Sequence, residues 1–344
     1  MSARYLTLTI TPDLAGLEVN TLLRRTLGLS GTVLRRVKWL EDGITLDGVR
    51  VNVRVRAREG QTLAVRLTDP IPPAEPVPSS GQSPLQGERP SGIPPCAPLP
   101  LLSPPDPLRW DPAGPPRVVP AEGPLDIVYE DADVVVLNKA PGVLVHPSHG
   151  HFDDTLGNFL MYHYKQAGDE SGFHPVHRLD KGTSGLLVVA KHPHAQERLK
   201  NQLHTGDFRR VYLAVCDGAP PQVAGVVDAP IGRVDGSLTR RAVRPDGQPA
   251  RTHYKVVRSC GPRTLVELEL ETGRTHQIRV HMAHLGCPLT GDFLYGTENR
   301  ALIDRPALHS AQLELAHPIT GERLRFTVPL PADLAALISE ENIG

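Results

Sequence analysis

The feature that most constrains this chain is a proline-rich segment between two parts of ordinary globular composition. Residues 70–124 hold 19 of the 35 prolines in the 344-residue sequence, with glycine and serine between them. Proline removes amide donors and disfavours helices and central strands, so this segment is predicted to be an extended, disordered linker. An alternative is that Trp110 docks on a neighbouring domain. The sequence thus predicts a small domain over residues 1–69 and a large one over residues 125–344.

The formal net charge of -1 conceals an uneven distribution along the chain. Residues 1–69 carry 11 Lys or Arg against 7 Asp or Glu, the linker carries 3 against 5, and the remainder 23 against 26. Phosphate groups are bound by individual basic side chains. Any affinity for RNA is therefore expected to come from the small domain and from local basic patches in the large one.

The composition indicates a protein without membrane or secretory segments. No apolar run approaches the roughly 20 residues of a membrane helix, and the N-terminus lacks the pattern of a secretory signal. A cytoplasmic monomer is expected. The cysteines form no CxxC pair, so neither a disulfide framework nor a thiolate zinc site is indicated; they are Cys96, Cys216, Cys260 and Cys287.

The small domain is predicted to combine two helices with short strands. Apolar spacing of three and four residues indicates helices over residues 14–27 and 32–40, and alternation indicates strands over residues 44–46, 49–55 and 62–67. The polar helix faces carry five basic residues, which are candidates for binding an RNA backbone: Arg24, Arg25, Arg35, Arg36 and Lys38. The alternative is a solvated charged face on a structural domain.

The large domain shows an irregular alternation of strands and helices. Helices are predicted near residues 155–166 and 276–285, and strands near residues 210–216, 251–258, 264–271, 308–315 and 323–328. This order favours an α+β domain with a mixed, mostly antiparallel sheet over a regular βαβ repeat. Neither GxGxxG nor GxxxxGK[ST] occurs, so no nucleotide cofactor is indicated.

Two strings in the large domain hold the candidate chemistry. In HRLDKGTSG, residues 177–185, two glycines and small hydroxyls surround Asp180 and predict a tight loop that fixes the carboxylate. In ETGRTHQIRVH, residues 271–281, a strand passes through a glycine turn into a helix that carries Arg279. A pair between Arg279 and Asp180 would keep the carboxylate ionised and oriented. The alternatives are a loop ion pair at Asp180 and a surface arginine.

These strings, with three others, resemble the RluA-type pseudouridine synthases in order and spacing. The resemblance covers nearly all of residues 125–330 and rests on NKAPGVLVHP, HRLDKGTSGLLVVAK, RRVYLAVCDG, ETGRTHQIRVHMAHLGCPLTGDFLYG and RPALHSAQLELAHPITGE. Residues 1–69 resemble, more loosely, the alpha-L RNA-binding domain that accompanies many RNA-modifying enzymes. The chain reads EDGITLDG where that family usually has a Gly-x-Val-x-Val-Asn-Gly turn.

The resemblance implies a role for each matching residue. It places the nucleophile at Asp180, the aromatic that packs on the target uracil at Tyr212, and the arginine that pairs with the nucleophile at Arg279. It further implies that Arg178 fills the stack left by the extruded base and that Leu308 lines the pocket. Two further residues of the second string are expected to bind substrate: Arg274 and His276.

The implied reaction exchanges the N-glycosidic bond of uridine for a C-glycosidic bond. No electrons move and no group is activated by phosphate, so neither NAD, ATP nor a metal is expected. The expected substrate is structured RNA, with the 23S RNA of the large ribosomal subunit favoured over transfer RNA. The pattern leaves open whether Asp180 attacks the sugar, attacks the base or assists elimination.

Two other functional classes remain as hypotheses. The fifteen histidines raise that of a metal hydrolase, with His146, His149 and His151 in one turn, but no HExxH string occurs. The other is an RNA-binding or ribosome-assembly protein that uses the same fold without catalysis. The presence of Asp180, Tyr212 and Arg279 argues against it, because an idle relative would need none of them.

Overall fold

The computed structural model describes residues 3–68 and 118–339. The linker prediction lies outside the described residues up to Arg117, and Trp110 with it. The last residues of the predicted linker pack on a helix of the large domain: Ala121 N donates to Asn158 O at 3.1 Å, and a side chain at Gly123 would clash with the Phe159 ring. No helix in the two described ranges has the length and apolar character to cross a membrane.

The small domain is a four-stranded antiparallel sheet covered by two short helices. The strands lie in the order β1-β4-β2-β3, and one face packs its apolar side chains against the helices. The elements are β1 Tyr5–Thr9, α1 Val19–Thr21, which continues as a π-helical turn Leu22–Thr26, α2 Gly31–Val37, β2 Ile44–Leu46, β3 Val49–Arg50 and β4 Thr62–Arg66.

Two predictions for this domain differ from the structure, and one strand was not predicted. The helix expected from residue 14 begins only at Val19, because residues 11–15 form a turn that Gly16 ends with a φ of +80°. Strand β1 was not predicted, although Leu6, Leu8 and Ile10 alternate. The strand expected over residues 49–55 is only the two-residue β3, because the chain turns at residues 53–55.

A ten-stranded sheet forms the large domain, and it confirms the predicted α+β class. The strand order is β10-β13-β14-β9-β15-β8-β6-β5, with β16 beside β15 and β7 beside β8. Every strand pair is antiparallel except β15 with β8. The strands are β5 Ile127–Glu130, β6 Val134–Lys139, β7 His174–Pro175, β8 Ser184–Ala190, β9 Arg209–Asp217, β10 Ala224–Asp228, β13 Arg251–Cys260, β14 Arg263–Leu270, β15 Leu308–Ala316 and β16 Arg323–Thr327; β11 Ile231–Arg233 and β12 Arg241–Val243 form a separate hairpin.

In the described part of the chain, four helices accompany this sheet: α3 Leu156–Gln166, α4 Pro193–Thr205, α5 Gln277–His284 and α6 Ala332–Ala336. The predictions for α3 and α5 agree with the structure to within a residue or two. Helix α4 was not predicted, although it carries clear boundary signals. His192 accepts a hydrogen bond from Ala195 N, Pro193 occupies the first turn, and Gly206 ends the helix with a φ of +80°.

The two domains are joined by ion pairs that cross between them. The Arg4 guanidinium donates to both carboxylate oxygens of Asp133, at 3.0 and 3.1 Å. Arg66 pairs with Asp42 in its own domain at 2.6 Å and with Glu170 of the large domain at 2.7 Å. One partner in each cross-domain pair is largely buried. These contacts therefore hold the small domain against the large one and are not ion pairs between fully exposed side chains.

Strand order explains where the functional residues meet. β14, β9, β15 and β8 are consecutive in the centre of the sheet. Tyr212 lies on β9 opposite Ser310 of β15, and Leu308 begins β15. The loop before β8 carries Asp180, and the helix that follows β14 carries Arg279. The sheet therefore brings together residues that are up to 128 positions apart in the chain, from Asp180 to Leu308.

Candidate active site

Asp180 lies in a tight loop that leads into β8. The loop closes with a hydrogen bond from Thr183 N to Asp180 O at 3.0 Å. At its end, Gly185 has a φ of +105°, and a Cβ there would lie 2.2 Å from Ser310 O, so only glycine fits. The Asp180 side chain is 32% exposed. The loop thus fixes the backbone of Asp180 while its carboxylate stays accessible.

Two basic residues that the sequence reasoning missed hold this loop by its carbonyl groups. The Lys139 ammonium is buried and donates to Ala140 O at 2.8 Å, Val143 O at 2.9 Å and Lys181 O at 3.2 Å. Arg305 donates to Gly182 O at 3.1 Å, and its guanidinium is itself paired with Asp333 at 2.7 Å. For Lys139, the available sequence signal was its position at the end of the apolar strand VVVLNK.

Arg279 joins the nucleophile candidate to a second, buried carboxylate. Its Nη1 lies 3.4 Å from Asp180 Oδ2, while Nε and Nη2 donate to Asp292 at 2.7 and 2.8 Å. Asp292 is fully buried and Arg279 is 4% exposed. Burial disfavours the charged guanidinium, but the hydrogen bonds and charge of Asp292, with the charge of Asp180, raise the pKa of Arg279 above its ordinary value. Asp292, in the string GDFLYG, was not predicted.

Tyr212, on strand β9 of the sheet, lies in the same region as Asp180 and Arg279. It is 4% exposed on β9, and burial raises the pKa of its phenol, so the ring is neutral. Its ring lines an open cleft of about 1130 Å³ together with Asp180 and Arg279. An aromatic face beside a carboxylate suits the binding of a planar base.

All seven residues predicted for catalysis and substrate binding line one recess of about 60 Å³ in this region. They are Asp180, Tyr212, Arg279, Arg178, Leu308, Arg274 and His276. Arg178 and Arg274 are exposed at its mouth, whereas Leu308 is buried in its wall. The structure thus brings the seven together.

The five basic residues predicted to bind RNA lie apart from this cleft, on the helices of the small domain. Arg24, Arg25, Arg35 and Lys38 are exposed. Arg36 is half-buried, and burial lowers the pKa of its guanidinium. Beside them Trp39 is 75% exposed, with the Lys38 ammonium 4.9 Å from its ring. Basic side chains next to an open aromatic form a surface that suits RNA.

The histidine turn considered for a metal site makes other contacts. His151 pairs with Asp154 at 2.6 Å, and its other ring nitrogen lies 3.3 Å from the Lys181 ammonium. Among the described residues, the one group with metal-like spacing comprises Asp131, Asp133 and His317. Since Arg4 already occupies both oxygens of Asp133, that group serves the contact between the domains.

Comparison with known proteins supports this account of the cleft. The family described as RNA pseudouridylate synthase matches residues 133–284. The uncharacterized RNA pseudouridine synthase YjbO of Bacillus subtilis is 49% identical over 219 residues, which cover 64% of this chain and 77% of that protein. The ribosomal large subunit pseudouridine synthase D of Yersinia pestis is 45% identical over 236 residues, 65% of this chain and 72% of that protein. The structure of human RNA Pseudouridylate Synthase Domain Containing 1 matches with a TM-score of 0.51 and 28% identity, over 60% of this chain and 83% of that one.

The chain belongs to the RNA pseudouridine synthases of the RluA type. It is therefore an isomerase that acts on RNA, as the resemblance implied. The family match includes Asp180, Tyr212 and Arg279 but ends before Leu308, and it begins after the small domain.

The loop contacts of Lys139 generate a prediction for stability and rate. Burial lowers the pKa of this lysine from 10.5 to about 7, so the unfolded chain binds its proton more tightly than the folded protein does. The stability of the wild type relative to Lys139→Met should therefore rise with pH between those two values. Because the variant also releases the Asp180 loop, the rate of pseudouridine formation should fall about tenfold.

Denaturant unfolding at several pH values and single-turnover kinetics measure both effects. Lys191→Met is the matched control, since Lys191 is a buried lysine that pairs with Glu130 and Asp169 away from the loop. A stability difference that stays constant over the pH range, or an unchanged rate in Lys139→Met, would contradict the assignment.

Proposed function

We propose that this enzyme isomerises specific uridines of large-subunit ribosomal RNA, with Asp180 as the nucleophile. The observation that carries the proposal is a partly exposed carboxylate 3.4 Å from a buried guanidinium, in a cleft that Tyr212 also lines. A carboxylate held in this way can add to the reacting nucleotide, retain the detached base and release it after rotation. Attack on the sugar, attack on the base and assisted elimination would each use the Asp180 carboxylate.

Asp180 is available to react because Arg279 is shared between two carboxylates, those of Asp292 and Asp180. The guanidinium gives Asp292 its two short hydrogen bonds and offers Asp180 one longer contact. A charge that is close but not tightly bonded orients the carboxylate while leaving its lone pairs for the substrate. Asp292 thus fixes Arg279, and Arg279 orients Asp180.

The target uridine reaches this recess only after it leaves the RNA stack, at a cost of a few kcal/mol. Tyr212 supplies an aromatic face for the uracil, and Leu308 supplies an apolar wall. Arg178 is exposed at the mouth, where a planar guanidinium can occupy the space that the base vacates. These three contacts offset the cost of extrusion.

The choice of ribosomal RNA rests on two observations. The relative from Yersinia pestis is named a ribosomal large subunit pseudouridine synthase. The basic helices of the small domain add a second RNA-binding surface outside the cleft, and ion pairs fix that surface on the large domain. Two separated RNA contacts on one chain suit a large folded RNA.

Pseudouridine mapping tests the role of Asp180. Cells that carry Asp180→Asn in place of the wild type should lose one or a few pseudouridines, detected by carbodiimide mapping of total RNA. Asp153→Asn is the control, since Asp153 is an exposed carboxylate near the cleft. Loss at large-subunit sites supports the proposal, loss at transfer RNA sites reassigns the substrate, and an unchanged map would show that Asp180 is not the nucleophile.

The salt dependence of RNA binding tests the small domain. Each phosphate contact contributes about 0.7–0.9 to the slope of log K against log salt concentration, so Arg25→Gln with Arg35→Gln should lower the slope by roughly 1.5. The probe is a stem-loop transcript of large-subunit RNA, and binding is measured by fluorescence anisotropy. Lys255→Gln, an exposed lysine on β13, is the control. An unchanged slope in the double variant would mean that this helix face is only a solvated surface.

A further inference from the structure

The hydroxyl group of Tyr295 connects the β11–β12 hairpin to His276, which lies beside Asp180. It accepts a hydrogen bond from Arg241 N at 2.9 Å and lies 2.8 Å from Nδ1 of His276. A phenol carries one proton. Since the backbone amide of Arg241 already donates to the phenol oxygen, the phenol proton is left to donate to the imidazole nitrogen.

A phenol that donates to Nδ1 selects one tautomer of His276. A neutral imidazole that accepts at Nδ1 carries its proton on Nε2. That nitrogen lies 3.8 Å from Oδ2 of Asp180, the same oxygen that lies 3.4 Å from Arg279. The imidazole and the guanidinium therefore converge on one carboxylate oxygen, and the contact from the imidazole would tighten once substrate closes the site.

We infer that His276 is a positioning residue that presents a fixed Nε2–H group to Asp180, and that Tyr295 sets its tautomer. The assignment of the tautomer stands on the geometry alone, whereas its value for catalysis rests on the proposed role of Asp180. In this tautomer the Nε2 atom, which faces Asp180, carries a proton and has no free lone pair. His276 therefore orients the nucleophile and does not act as the base of the reaction.

The backbone and the surroundings of His276 support this role. Its φ of +58° is in the left-handed region, which non-glycine residues seldom adopt. The side chain is 14% exposed, and burial lowers the pKa of the imidazole. The charged groups that act on it oppose one another: Asp180 and Asp292 favour its protonation, and Arg279 and Arg241 disfavour it. The neutral form therefore prevails at neutral pH.

Tyr295 also packs its ring against Arg279, with the guanidinium carbon 5.1 Å from the ring centre. Tyr295→Phe retains this ring and removes only the hydroxyl group, which makes it a clean test of the hydrogen bond. The hairpin of β11 and β12 contributes Arg241 N to this group and carries Thr239 at the cleft. The tyrosine thus links the hairpin to both groups that contact Asp180.

The first measurement is the tautomer itself, by two-bond ¹⁵N–¹H correlation spectra of the protein labelled at histidine. The signal of His276 is identified by its loss in His276→Gln. The wild type should show the Nε2–H form alone at pH 7, and Tyr295→Phe should show a mixture of both forms. An Nδ1–H form in the wild type, or a spectrum that Tyr295→Phe leaves unchanged, would overturn the inference whether or not Asp180 is the nucleophile.

The second measurement is the single-turnover rate on large-subunit RNA. Tyr295→Phe should lower the rate about tenfold while changing the RNA dissociation constant by less than about twofold. His276→Gln, whose amide can donate in place of Nε2–H, should retain about ten times more activity than His276→Leu. Equal rates for Gln and Leu, or a loss in RNA affinity alone, would show that His276 is structural or binds RNA. If Asp180→Asn retained activity while the tautomer result held, the proposed nucleophile would fail and the tautomer assignment would stand.

Discussion

The proposed active site depends on a buried guanidinium, which is hydrogen-bonded to one carboxylate and contacts another. Arg279 could not remain buried and charged without Asp292, whose two hydrogen bonds compensate for the loss of water. A buried ion pair of this kind contributes little net stability compared with apolar packing, so its value lies in orientation. It leaves Nη1 of the guanidinium for Asp180, whose side chain is the most exposed of the three.

The surrounding fold serves to keep that geometry fixed. Four neighbouring strands supply the walls, and Lys139 and Arg305 hold the Asp180 loop through its carbonyl groups rather than through its carboxylate. These basic side chains therefore lie around Asp180 without hydrogen-bonding to its carboxylate oxygens. A loop that is restrained by its backbone loses little freedom during the reaction, which is how a site lowers the entropic part of a barrier.

The sequence predicted the parts of this site that local patterns encode. The glycines around Asp180 and the turn before Arg279 indicate a tight loop and a helix start, and the resemblance assigned Tyr212 and Leu308. Asp292, Lys139 and Arg305 were missed because their partners lie on a helix and in a loop outside their own segments, and no periodicity reports such a contact. The fold class followed from the order of elements, whereas α4 and β1 were missed although capping and alternation were present. In the small domain, the turn at residues 11–15 overrode a spacing that resembles a helix.

The most direct test of this account is a double-mutant cycle between Asp292 and Arg279 on the single-turnover rate of pseudouridine formation. If Asp292 acts only through Arg279, then Asp292→Asn and Arg279→Gln should each lower the rate by about 100-fold, and the double variant should be no slower than the slower single variant. Thermal unfolding of all four proteins would show that each is folded. Rate losses that multiply in the double variant, or a nearly normal rate in Asp292→Asn, would contradict the claim that the two residues form one device for orienting Asp180.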